Sequence, residues 1–215
     1  AQEIGLPAAP NQPASEIYTL LADASRDYPA IWIVARGFSD WPNYGVTEAW
    51  LDGNMQQIIN TNADGLRIQQ YRPWTPNLAE VPTESPLATF DEIVQLHHVE
   101  IIAPPQPTGE WVILTYWQPL ATTQTPLKVF VHLVSESNPP SGIVAQDDHE
   151  PQLGRLSSLS WQVGDVYRDV FTLRGVSNLA EGDYHLAIGL YEPVTGERIL
   201  TTTGEDHARV NVTLP

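Results

Sequence analysis

The sequence predicts a two-part α+β chain, a small N-terminal α/β unit followed by an antiparallel β-sandwich of immunoglobulin-like or jelly-roll type. Three observations predict it. From Thr89 onward, short runs of aromatic and β-branched residues recur between turn-forming clusters, with no helical period. Residues 14–72 instead switch between helical and strand-like periods. Between them, Pro73–Pro86 (PWTPNLAEVPTESP) holds four prolines and no periodicity, the mark of a domain boundary. The expected division is a linker over 1–13, the α/β unit over 14–72, a Pro-rich linker over 73–88 and the sandwich over 89–215.

The first 13 residues carry three prolines among small and polar residues and read as a tether. Ser15 is the expected N-cap of a first helix, whose buried stripe is Ile17, Leu20, Leu21 and Ala24 and which Pro29 ends. Ile31–Arg36 (IWIVAR) is nearly all apolar, as a buried strand would be. Gly37–Gly45 (GFSDWPNYG) is a loop rich in aromatics. Val46–Ile59 reads as a second helix that Gly53 breaks or kinks. Asn62–Gly65 is a turn, and Leu66–Arg72 a second strand. A helix crossing between two strands makes them parallel neighbours. Two strands are too few to stand alone in water.

In the C-terminal half, strands are expected at Ile93–Ile102, Trp111–Gln118, Leu127–Ser135, Ile143–Asp147, Val166–Leu173, Tyr184–Glu192, Arg198–Thr202 and Ala208–Leu214, with no helix. The pair at 111–135 is the centre. Trp111, Ile113, Thr115 and Trp117 alternate with Val112, Leu114 and Tyr116, so both faces of that strand are apolar and should be covered. In the next, Val129, Val131 and Leu133 form one strongly apolar row. Tyr184, Leu186, Ile188 and Leu190 form another, and EPVTGE is a tight turn after it.

Composition bounds the function. Lysine and arginine number 10 against 26 acidic residues, a formal charge of −16. That balance argues against nucleic acid and against an anionic membrane surface, both of which need a basic face. There is no cysteine, hence no disulfide, thiolate metal site or cysteine nucleophile. No run reaches the roughly 18 apolar residues of a transmembrane helix.

Candidate chemistry is sparse. Asp147, Asp148 and Glu150, with His149 between them, make an oxygen-rich strand end of the kind that can hold calcium, but the spacing is not a calcium-loop pattern, and a solvated turn is the stronger expectation. His97 and His98 are adjacent on a strand and so point to opposite faces, unlike a zinc pair. His132 and His185 read as hydrogen-bonded structural residues. Ser157, Ser158 and Ser160 lack any nucleophile-elbow context. The aromatic loops are the better binding candidates. Phe38, Trp41 and Tyr44 follow a strand end and Trp74 follows the next, where ligands collect in open α/β layers and rings stack on sugars. The competing use of these rings is to pack the α/β unit onto the sandwich, each adding roughly 1.5–3 kcal/mol if buried, and the area to be hidden favours it.

The order of strand motifs carries a resemblance. LTYWQPL (Leu114–Leu120), VFVHLV (Val129–Val134), IVAQDD (Ile143–Asp148), WQVGDVYRD (Trp161–Asp169) and GDYHLAIGLYEPVTGER (Gly182–Arg198) follow one another. So do YPAIWIVAR (Tyr28–Arg36), VTEAWLD (Val46–Asp52) and LRIQQY (Leu66–Tyr71) before them. The chain resembles the C-terminal soluble region of bacterial multi-spanning glycosyltransferases of the dolichyl-phosphate-mannose–protein mannosyltransferase type. The resemblance implies a non-catalytic extracytoplasmic domain, membrane-tethered in the full-length protein. Its partners would be the membrane domain of the same polypeptide and a glycan or polypeptide acceptor. It implies no cofactor and no catalytic residue in this chain, because the catalytic acid of such enzymes lies on a loop between membrane helices. The alternative is a stand-alone carbohydrate-binding or cell-surface adhesion module.

Overall fold

The computed structural model describes residues 3–36, 43–76, 81, 85–102, 109–136, 142–176, 179 and 182–214. Among the described residues the chain is mostly antiparallel β-sheet with two α-helices, and it divides into two compact units, Ala1–Trp74 and Thr75–Pro215. No helix among the described residues is long and apolar enough to cross a membrane.

The first unit runs α1 (Ala14–Asp27), β1 (Ile31–Arg36), α2 (Val46–Asn54), β2 (Met55–Ala63) and β3 (Leu66–Pro73). α1 buries Ile17 and Leu21, part of the expected stripe. It starts two residues earlier than the Ser15 cap predicts, with Pro13 at the N-cap and no side-chain cap. Proline's fixed φ supplies the entry geometry that a capping side chain otherwise secures. Its end is where Pro29 puts it, since a residue before proline is held extended and Tyr28 sits at φ −129°, ψ 142°.

Two expectations for this unit are corrected. The second helix stops at Asn54, and Met55–Ala63 is a strand. Gly53 and Asn54 are poor helix formers and end the helix, and the β-branched Ile58, Ile59 and Thr61 that follow favour the strand. The parallel arrangement is also replaced. Asp64 and Gly65 both have positive φ (50° and 77°), the requirement of a two-residue type I′ hairpin, and they fold β2 back antiparallel onto β3. β1 then pairs antiparallel with the other side of β3, giving the order β1-β3-β2. Leu51, Met55 and Tyr71 join Ile17 and Leu21 in the core beneath the helices.

The second unit has two antiparallel sheets enclosing one core. The first takes β4 (Ala88–Phe90), β5 (Val94–Ile102), β6 (Trp111–Pro119) and β9 (Tyr167–Leu173) in the order β4-β5-β6-β9. The second takes β7 (Lys128–Ser135), β8 (Ile143–His149), β10 (Gly182–Tyr191), β11 (Arg198–Ile199) and β12 (Ala208–Leu214), ordered β11-β10-β7-β8 with β12 also on β10. The predicted apolar rows meet here: Val129, Val131 and Leu133 of β7 and Leu186, Ile188 and Leu190 of β10 face Ile113, Trp117 and Phe171 of the other sheet. Trp117 is fully buried, its ring 5.8 Å from Phe90. Leu114 and Tyr116, on the opposite face of β6, are buried as well. The expected absence of helix is amended by two short 3-10 turns, Pro151–Gly154 and Ser158–Ser160. The expected strand at Arg198–Thr202 is only two residues long, and β4 is a strand the sequence did not suggest.

Candidate functional site

A cavity of about 660 Å³ lies wholly within the first unit. One wall is residues 3–7, a second is Leu20, Leu21 and Ala24 on one face of α1, a third is β1, and Tyr44, Gly45, Thr47 and Glu48 at the start of α2 close it. Its size falls in the range of ordinary ligand sites, and its lining is mainly apolar with a few polar groups, as such sites require. The strand alternation decides what β1 offers. Ile31 and Ile33 turn toward the core cluster, while Trp32 and Val34 remain 54 % and 64 % exposed. Glu48 is ion-paired with Arg67 of β3, which fixes the acidic end of the cavity. Behind it, the Tyr71 hydroxyl donates to Asp52 (2.8 Å) and accepts from Gln57 (2.8 Å), and burial pushes its pKa well above that of a free phenol, with the Asp52 hydrogen bond adding to the shift.

Of the aromatic candidates, Phe38 and Trp41 lie outside the described residues. Tyr44 is half-buried and lines the cavity. Trp74, half-buried just past β3, is not among the lining residues, so the structure does not bring Tyr44 and Trp74 together there. The participation of α1 and of residues 3–7 was not foreseen. The helical stripe of the sequence buries Leu21, whereas Leu20 is 37 % exposed at the cavity.

The polar cluster of the second unit is built differently. β8 and β9 are neighbours at one end of the two sheets, and β8 side chains satisfy backbone groups of β9. Asp147 accepts from the Thr172 N–H (2.7 Å) and His149 Nε2 lies 3.1 Å from the Val170 carbonyl oxygen. Val170 and Thr172 are two apart, so these groups share the edge of β9 that β6 does not occupy. His149 Nδ1 faces a second carbonyl, that of Glu150, at 2.9 Å. The ring thus sits between two carbonyl oxygens, with Nδ1 3.9 Å from Asp169 Oδ1. The ring stacks on Phe171 at 4.2 Å.

Asp169 was not singled out from the sequence, though a signal was there. It shares parity with Phe171 and Leu173, so β9 turns it inward with them, and an inward carboxylate demands partners. It is 2 % exposed and accepts from the N–H groups of Gln152 (3.1 Å) and Val170 (3.0 Å). Burial pushes its pKa up to about 6, against the opposing pull of His149 and the two N–H donors. The Gln152 contact anchors a turn in which Gln152 and Leu153 both hold positive φ (52° and 56°).

The calcium candidates do not converge. Asp147 is spent on Thr172, Asp148 on the opposite face bonds His132 (2.9 Å), and the Glu150 side chain is exposed. Among the described residues, no three His, Asp or Glu side chains are grouped to hold a metal ion. His185 pairs with Glu136, and Ser158 is buried, its hydroxyl accepting from the Leu127 N–H (2.8 Å). Each of these polar groups serves the fold.

The chain matches no protein-family model. No curated protein matches it either. Among solved structures, chicken MD-1 complexed with lipid IVa is similar over 62 % of this chain and 92 % of its own, at 14 % identity and a TM-score of 0.27. So loose a superposition transfers neither the fold nor the ligand.

Proposed function

We propose that this chain is the non-catalytic extracytoplasmic accessory domain of a membrane-bound glycosyltransferase that uses a lipid-phosphate sugar, and that its task is to contact the acceptor. In this reading the second unit is an immunoglobulin-like sandwich and the full-length protein is tethered by membrane helices that hold the catalytic acid. The order of motifs from Tyr28 to Arg198 supports the family.

The observation that carries the binding role is the cavity of the first unit. It is ligand-sized and mainly apolar, and among the described residues Glu3 and Glu48 are its charged lining groups. Glu48 is engaged by Arg67. Such a lining suits holding a partner.

The test is the complete gene product. A series of apolar helices, each about 20 residues long, directly preceding Ala1 is the expected result. A cleavable secretion signal there and nothing else would replace this reading with the stand-alone binding or adhesion module.

A further inference from the structure

β1 is an edge strand. Among the described residues it pairs with β3 and with no second strand. Every residue from Ile31 to Ala35 lines the cavity. Successive side chains point to opposite faces, so residues of both parities reach one cavity only where it runs along the strand's unpaired side. An open edge presents unpaired N–H and C=O groups, and proteins normally blunt it with charge, proline or a bulge. Between Ile31 and Ala35 there is no charge and no proline, and the pairing with β3 runs without a register shift. The outward row, Trp32 and Val34, is apolar and exposed.

We propose that this edge takes up an extended polypeptide, which adds to the sheet beside β1, and that the segment is apolar at alternate positions and basic at its flanks. The proposal rests on the acceptor-contact reading above and names the chemistry of what is contacted. Main-chain bonds along β1 would give affinity, and the apolar wall of α1 and residues 3–7 would take alternate side chains. Charge selects the occupant. Among the described residues the charged lining groups are Glu3 and Glu48, Glu48 already paired with Arg67, and the chain carries −16. A second copy would bring the same excess of negative charge to the same edge, and an anionic lipid headgroup would likewise meet acid. A basic-flanked segment is attracted by both features.

The test uses the whole chain and a fluorescent peptide alternating valine and threonine between terminal lysines, followed by anisotropy at low and physiological salt. Saturable binding is expected, weakened about tenfold by replacing the terminal lysines with glutamates and by raising the salt. Val34→Lys places a charge on the edge at an exposed position and should weaken binding about tenfold, whereas Val194→Lys, on the surface of the second unit, should bind like the parent. Hydrogen exchange at Ile31–Ala35 should slow when the peptide is bound. No saturable binding, equal binding of the glutamate peptide, or equal binding by Val34→Lys overturns the proposal. So does sedimentation showing a dimer that Val34→Lys dissolves, or uptake of phosphatidylglycerol vesicles that the peptide does not compete. If membrane helices precede Ala1 and the peptide fails, the accessory-domain reading stands and strand addition alone falls. If a lone signal precedes Ala1 and the peptide binds, the reverse holds.

Discussion

Asp169 is a carboxyl held inside the second unit, and its cost can be read from the pH dependence of stability. Its folded pKa of about 6 lies above the unfolded value of 3.8. A carboxyl raised in this way binds its proton more tightly in the folded chain. It therefore stabilises the fold below about pH 4, and that contribution is lost as pH rises through 6. The rise corresponds to about 3 kcal/mol in the limit, of which about 1 kcal/mol is lost between pH 5 and pH 7.5. The group is deeply buried, so little of this is screened by solvent. Glu136 and Asp206 act in the opposite sense. Their histidine and arginine partners hold them below the ordinary carboxylate range, so what they contribute is lost only in stronger acid. The assay is urea unfolding at pH 5 and pH 7.5, read by hydrogen exchange at the β9 amides so that the second unit alone is followed. Asp169→Asn keeps the shape and one acceptor but cannot titrate. The parent should lose stability across this window by about 1 kcal/mol more than the variant does. His149→Gln, run beside it, removes the neighbouring ring whose pull opposes the rise. Parent and Asp169→Asn curves that run parallel from pH 5 to pH 7.5 would refute the reasoning.

Further outcomes follow from the same unit. At Gly189 a methyl group would meet Phe130 Cζ at 2.5 Å, Cε1 at 2.6 Å and the Asp206 carbonyl oxygen at 2.9 Å, so Gly189→Ala should destabilise by about 1–3 kcal/mol, seen as a lower urea midpoint at unchanged slope. Trp117→Ala removes a fully buried ring from the centre of the core and should cost about 3–5 kcal/mol by the same measurement. Titration calorimetry with calcium should give no saturable heat. Asp147→Ala should instead lower stability by about 1–3 kcal/mol, because it strips the Thr172 N–H of its acceptor.

What the sequence disclosed was where alternation is strong and what it hid was where a local signal had two readings. Val129, Val131 and Leu133 set against Leu186, Ile188 and Leu190 could face only a core, and they do. Asn62–Gly65 was recognisable as a turn, but a turn does not say what flanks it. With Val46–Ile59 taken as one helix, the Asp64–Gly65 hairpin had no partner strand and the sheet came out parallel. Read as a type I′ signal with the β-branched Ile58, Ile59 and Thr61 before it, the same dipeptide points to an antiparallel pair. The seam at β8 and β9 was half legible. Asp147, Asp148 and Glu150 drew notice as a cluster, yet period two separates neighbours onto opposite faces, and Asp147 and Asp148 found different partners. The cavity was least legible, because it depends on where residues 3–7 pass and on which side of β1 is left open, and neither has a local sequence mark.

The proposed role is that this chain receives an acceptor and leaves the chemistry to a membrane partner. The decisive measurement is sugar transfer from a lipid-phosphate donor to a basic-flanked polypeptide. It should be made with the full-length protein, with the same protein lacking residues 14–215, and with residues 1–215 alone. Transfer by the full-length protein, a sharp fall on deletion with donor hydrolysis retained, and none by the isolated chain is the predicted pattern. Transfer or hydrolysis by residues 1–215 alone would contradict it.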